Sequence, residues 1–171
     1  MFQNETISLQ NIPQYQEVET QKLHPNYKKI IVFNAICKIV IAIGICCAIF
    51  FTFSNIEKWY FMALFVLISF FIIMYPFLSF NKKKYAFRAH DVIFKKGLLF
   101  KSTHISPYIR LQHVVIKQGW YEKKLGLATL VLYTAAGSFS DIAIPGLTLE
   151  DAERWKNFLM NRMEDLNNES E

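Results

Sequence analysis

Acidic residues are scarce over most of this chain. Between Lys58 and Leu147 there are three carboxylates, Asp91, Glu122 and Asp141, and no two form a pair on one strand end. General acid–base chemistry therefore has few groups to work with. Cysteine is scarcer in effect than in number, because Cys37, Cys46 and Cys47 all fall in one apolar segment. A disulfide framework places its pairs in the soluble parts of a chain, and a metal site needs spaced ligands. The three read as small apolar packing residues. His24, His90, His104 and His113 show no metal-ligand spacing with one another, with a cysteine or with an acid. The six glycines form no phosphate-binding loop, and no nucleophile motif occurs. These gaps leave no constellation for catalysis. No cofactor, metal, nucleic acid or small-molecule substrate is expected.

A secretory signal is missing as well. The first apolar run starts near residue 30, after a polar arm that contains Glu5, Glu17 and Glu19. Residues 1–29, with Pro13 and Pro25, read as a flexible arm that lies along either the domain or the membrane.

What the chain has in excess is apolar side chains, 53% of its 171 residues with 16 Phe, and most of that excess falls between residues 30 and 80. Trp59 to Phe80 carries no charge and as a helix is about 33 Å long, enough for a hydrocarbon core. Trp59 and Tyr60 mark one interface, Lys82, Lys83 and Lys84 the other, and Pro76 is positioned to kink the last turns. The first run, about residues 30–53, includes Asn34 and Lys38, and Ala35 to Phe53 alone would still span. Lys38 then lies within a turn of the membrane surface, where its stem carries the ammonium to the headgroups. The link Ser54–Lys58 is short enough to make the two helices antiparallel neighbours. Lysines flank the outer ends of the hairpin while the link is neutral, so both termini are expected in the cytoplasm, with the protein in the inner membrane.

Charge is segregated. From Lys22 to Lys124 there are sixteen Lys and Arg against three acids; from Leu125 onward, three against eight. A basic membrane-proximal segment suits anionic headgroups, and it is equally what the positive-inside rule requires without lipid specificity. Lys82, Lys83 and Lys84 are the candidates for headgroup contact, because their place at the membrane exit is nearly forced. Lys95, Lys96 and Lys101 would extend that surface if the hairpin around Gly97 faces the bilayer; otherwise they line a solvated tip.

After Lys84 the pattern becomes strand-like. Tyr85, Phe87 and Ala89 alternate with Ala86, Arg88 and His90, and Val92–Phe94, Leu98–Phe100, Val114–Ile116, Thr129–Thr134 and Asp141–Ile144 read as short strands. Trp120 to Leu125 reads as a helical turn ended by Gly126. Pro145–Gly146 is expected to break the last strand. Thr148 then caps a helix whose apolar stripe is Ala152, Trp155, Phe158, Leu159, Met163 and Leu166. The domains are thus an arm (1–29), a hairpin (30–80), a mainly β domain with a covering helix (81–167) and a polar tail (168–171).

Three stretches carry a resemblance. They are Tyr85-x-Phe87-Arg88-x-x-Asp91-Val92-Ile93-Phe94-x-x-Gly97, then Ile105-x-x-x-x-Arg110-Leu111-Gln112-x-Val114, and Leu125-Gly126-Leu127-Ala128-Thr129-Leu130 running on to Ile144-Pro145-Gly146. Following a lysine-ended hairpin, they resemble YdbS-like bacterial proteins with a pleckstrin-homology-like (PH-like), membrane-flanking domain. The resemblance implies two near-orthogonal antiparallel sheets with a C-terminal helix plugging one end. It implies no common reaction. It does not extend to phosphoinositide binding, because the connection between the first two strands, about His90–Asp91, is short and not basic.

Arg110 and Gln112, two residues apart on an extended segment, share a face and either contact a ligand or partner or tie a loop to the domain's own backbone. Trp120 and Tyr121 either form a contact patch or fill the end of a sheet. The favoured function is a non-catalytic, membrane-anchored binding or scaffolding module whose partners are membrane lipids and a protein or a second copy of itself. The alternative is a subunit of a lipid or peptide transport complex, for which Lys38 and Asn34 are the only support.

Overall fold

The computed structural model describes residues 18–52, 57–135 and 140–168. Expectations for the arm before residue 18, for residues 53–56 of the link, for the turn at Ala136–Gly137 and for the tail from residue 169 lie outside these. A short strand β1 (Gln21–Lys22) leads into helix α1 (Tyr27–Thr52) and helix α2 (Glu57–Phe80). Then come β2 (Lys84–Phe87), β3 (Asp91–Lys96), β4 (Ser102–Pro107), a single 3-10 turn (Tyr108–Arg110), β5 (Leu111–Lys117), α3 (Trp120–Lys124), β6 (Leu127–Thr134), β7 (Ile142–Thr148) and α4 (Leu149–Asn168).

The two long helices pack against each other. Ile39 of α1 shares a groove with Ile73 and Met74 of α2, and Phe50 shares the same groove with Met62, so the helices run antiparallel. Their apolar side chains point outward: Val40, Ile41, Phe61, Leu64, Leu67 and Phe71 are all more than half exposed. A soluble core helix would hide such residues. Both helices are long and apolar enough to cross a membrane.

Two antiparallel sheets follow, ordered β1-β2-β3-β4 and β5-β6-β7. β3 supplies Val92 and Phe94 to the core, β6 supplies Leu130 and Leu132, and β7 supplies Ile142, Ile144 and Leu147. α4 covers them with Ala152 and Leu159, both fully buried, while Trp155 stacks on Phe87 at 4.1 Å and Phe158 meets the edge of Tyr108 at 6.2 Å. Its start is capped as the sequence implied: Thr148 Oγ1 accepts the amide hydrogen of Asp151 at 3.1 Å and donates to its carboxylate at 2.7 Å. At the far end of the first sheet the buried Tyr108 hydroxyl donates to the Arg88 carbonyl at 2.6 Å. Burial, then the neighbouring Asp91, push that phenol up to about 12.

The same core continues into the membrane helices. Leu23, Ile31 of α1 and Phe80 of α2 are buried in one cluster with the strands and α4. Tyr27 stacks on Phe80 at 6.2 Å, and the His24 amide donates to the Gly146 carbonyl at 3.0 Å. The hairpin and the domain are therefore welded rather than linked.

Three expectations change. Leu98–Phe100 is not a strand but the tip of the β3–β4 hairpin, with the strand pairing resuming at Ser102 opposite Lys96. Three consecutive apolar residues suit a buried strand by composition, but Gly97 at φ 106° turns the chain before them. Pro145–Gly146 does not end β7. It forms an irregularity where Ala128 faces Leu147 while Leu130 faces Ile144, and pairing runs on to Thr148. Within the arm, Gln21–Lys22 extends the first sheet by pairing with β2.

Gly146 sits at φ 69°, and a Cβ there would lie 2.9 Å from the Tyr27 Cβ. Gly146→Ala combines a left-handed backbone with a clash against α1, and is expected to lower stability by about 1–3 kcal/mol. Thermal unfolding of the detergent-solubilised protein measures it.

Candidate functional site

The chain direction sorts the domain into two ends. β2 leaves the membrane helix at Lys84, which pairs with Lys95 of β3, so the β3–β4 tip returns to the membrane exit. β7 ends there too, at Gly146–Thr148 beside Tyr27. The turn at Arg88–His90, the 3-10 turn and Ala135 lie at the opposite end, where the Tyr108 amide donates to the His90 carbonyl and the Ala135 amide to the Arg110 carbonyl.

At the exit the ends of α1 and α2, β1, β2 and β7 enclose a cleft of about 560 Å3. Lys22, Lys28 and Lys83 line it with His24, Tyr85 and a single carboxylate, Asp151. Its cations are held by the fold. Lys28 Nζ lies 5.4 Å from the centre of the Phe80 ring. His24 Nδ1 accepts the Asn26 amide hydrogen at 3.2 Å, which leaves Nε2 as the protonated nitrogen of the neutral ring. Lys83 is half-buried, and desolvation, then the repulsion of Lys96, hold its ammonium below the usual lysine range. Tyr85 moves the other way, pushed up by burial and then by Asp151. Three lysines with one acid nearby, Lys83 among them partly desolvated, form an arrangement that can accept an anion.

Of the sequence candidates, the structure brings Lys82, Lys83 and Lys84 to this exit, with Lys82 exposed and its two neighbours half-buried. Trp120 is at the same end but on the other helix. Phe33 of α1 stacks on Tyr121 at 4.4 Å and tilts against Trp120 at 6.2 Å, and Lys124 Nζ lies 4.2 Å from the centre of the Trp120 ring. The short helix α3 is fixed for this by Glu122, whose carboxylate accepts from the Gly119 amide at 2.7 Å and from the Thr129 hydroxyl at 2.9 Å. Arg110 and Gln112 are elsewhere. They sit at the start of β5, about 20 Å of strand away from Trp120. Arg110 closes the 3-10 turn and Gln112 falls at a register shift between Leu111 and His113. Both side chains are exposed.

Lys38 and Asn34 line a small space with Pro76 and Lys83 at the domain end of the hairpin. The β2–β3 connection is three residues, Arg88–His90, and its arginine is engaged by Asp91 in a bidentate ion pair.

Sequence reasoning missed Lys22, Lys28, His24 and Tyr85 as parts of one cleft. Their meeting depends on β1 adding to the sheet, and a two-residue strand in a polar arm leaves no periodic signal.

A membrane hairpin fused to two antiparallel sheets and a covering helix defines a membrane protein with a PH-like domain. The model of the bacterial PH domain family matches residues 31–163, and the chain belongs to that family. It is similar to the UPF0699 transmembrane protein YdbS of Bacillus subtilis (strain 168), 37% identical over 71 residues, which are 42% of this chain and 43% of that relative. The chain thus aligns with less than half of that relative's length. No solved structure matches.

Replacing Lys83 by methionine removes a desolvated charge and its repulsion with Lys96. Its lowered pKa means that the folded protein binds fewer protons than the unfolded chain just below the ordinary lysine range. Stability of the parent therefore rises as pH climbs through the folded-state pKa. Lys83→Met is expected to raise the melting temperature in neutral detergent at pH 7, with the advantage shrinking toward alkaline pH. Paired pH-dependent melts check both points.

Proposed function

We propose that this protein is a non-catalytic, membrane-flanking binding and scaffolding module in the cytoplasmic membrane, with both termini on the cytoplasmic side. The observation that carries this reading is the continuous core from Ile31 and Phe80 into the β domain. It presents one end of the domain to the bilayer and the other to the cytoplasm. Lys82, Lys83 and Lys84, with the cleft beside them, take anionic lipid headgroups. The distal end, with exposed Ile109, Arg110 and Gln112, takes a protein partner or a second copy. Fixed at the membrane, the module needs only weak contacts to hold a membrane neighbour, because confinement raises the effective concentration. The lysines on the outer ends of the hairpin support the orientation.

Each lysine near an anionic surface contributes about 1 kcal/mol of attraction. Native mass spectrometry of protein taken from mixed phosphatidylglycerol and phosphatidylcholine bilayers is expected to show phosphatidylglycerol retained by the parent. Replacing Lys82, Lys83 and Lys84 together by alanine is expected to lose that preference. An unchanged lipid profile would remove the headgroup role.

A further inference from the structure

The β3–β4 tip exposes two large apolar side chains at its end. Leu99 is 77% exposed and Phe100 89%, side by side at the end of a hairpin that returns to the membrane exit. The tip is a built feature. Gly97 turns into it at φ 106°, and a Cβ at that position would lie 1.9 Å from the Phe100 carbonyl oxygen, so the loop closes tightly on its own glycine. Phe100 borders a hollow shared with Tyr75, Pro76 and Ser79 of α2. Those residues lie inside the apolar run of the span, and Tyr75 is about 7 Å along the helix from Phe80. Pro76 also borders the space that holds Lys38, so Phe100 and Lys38 stand at similar heights along α2.

From these placements we infer that the β3–β4 tip is a second membrane attachment: Leu99 and Phe100 enter the headgroup–acyl boundary of the bilayer beside α2. The tip's own charges fit that occupant. Lys95 and Lys96 precede it and Lys101 follows it, with no acid among residues 92–121. Two large apolar side chains within a basic frame match the composition of segments that sit in an anionic interface at a depth of about 5–10 Å. The contact is continuous with the spans already in lipid and needs no conformational change to form. It would hold the first sheet against the bilayer on the α2 side, while Trp120 and Tyr121 pack beside α1 on the other.

The inference rests on α2 being a membrane span, and its test reads the two separately. In a background with Cys37, Cys46 and Cys47 replaced by alanine, single cysteines at Phe100, Phe71 and Ile109 are spin-labelled. Each protein is reconstituted in vesicles of phosphatidylethanolamine and phosphatidylglycerol. Collision rates with oxygen and with a water-soluble nickel chelate then report the depth of each label. Phe71→Cys is the control within the span and Ile109→Cys the control at the distal end. The expected result is an oxygen-to-nickel ratio at position 100 several-fold above that at position 109 and below that at position 71. A nickel-accessible label at position 100 with a lipid-exposed label at position 71 would overturn the tip insertion and leave the span standing. A label at position 71 open to nickel would overturn both. Low collision with both reagents at position 100 would mean burial against a second copy of the protein, and would also overturn insertion.

Discussion

The junction where Tyr27 stacks on Phe80 beneath Gly146 is the contact on which the rest of the structure depends. It joins the first turn of one membrane helix, the last residue of the other and the final strand of the second sheet. Leu23, from the chain entering α1, and Ile31 of α1 complete it. Most membrane-anchored domains hang on a flexible linker, and their orientation is free. Here only Asn81–Lys83 separate α2 from β2, and the core runs through without a break. The junction thus passes the orientation of the helices on to the sheets.

The proposed function rests on that transfer of orientation. The basic cleft, the Lys82–Lys84 segment and the apolar β3–β4 tip lie at one end of the domain because three successive strand ends converge on the membrane exit. The half-buried Lys83 shows the cost of assembling them, since desolvation and Lys96 both disfavour its charge. An anionic headgroup would offset both. The distal end is built differently. There Arg88 and Asp91 neutralise each other, Tyr108 closes over the Arg88 carbonyl, and Ile109 and Arg110 are exposed.

Much of this was legible in the residues. The spans were readable because an uncharged run from Trp59 to Phe80 has only one stable environment, and α4 because its cap and its stripe obey a single period. Two features were less accessible. Leu98–Phe100 was misread as a strand because a short apolar triplet fits a buried strand and a lipid-facing tip equally well, and only the pairing of Lys96 with Ser102 separates them. The continuation of β7 through Pro145–Gly146 was hidden for the opposite reason. A Pro-Gly pair usually stops a strand, yet here the glycine takes a left-handed turn that lets Tyr27 approach and the pairing resume. The cleft itself is a product of tertiary packing, assembled from residues in six elements.

The rigid junction is the central claim, and a distance across it tests it most directly. With spin labels at Leu78, on the lipid-facing side of α2, and at Ile109, on the distal end of the domain, pulsed dipolar measurements in lipid nanodiscs report the spread of separations between hairpin and domain. A welded core predicts a single narrow distribution that stays unchanged between anionic and zwitterionic lipid. A broad distribution, or one that moves with lipid charge, would show a domain swinging on a hinge and would contradict the account.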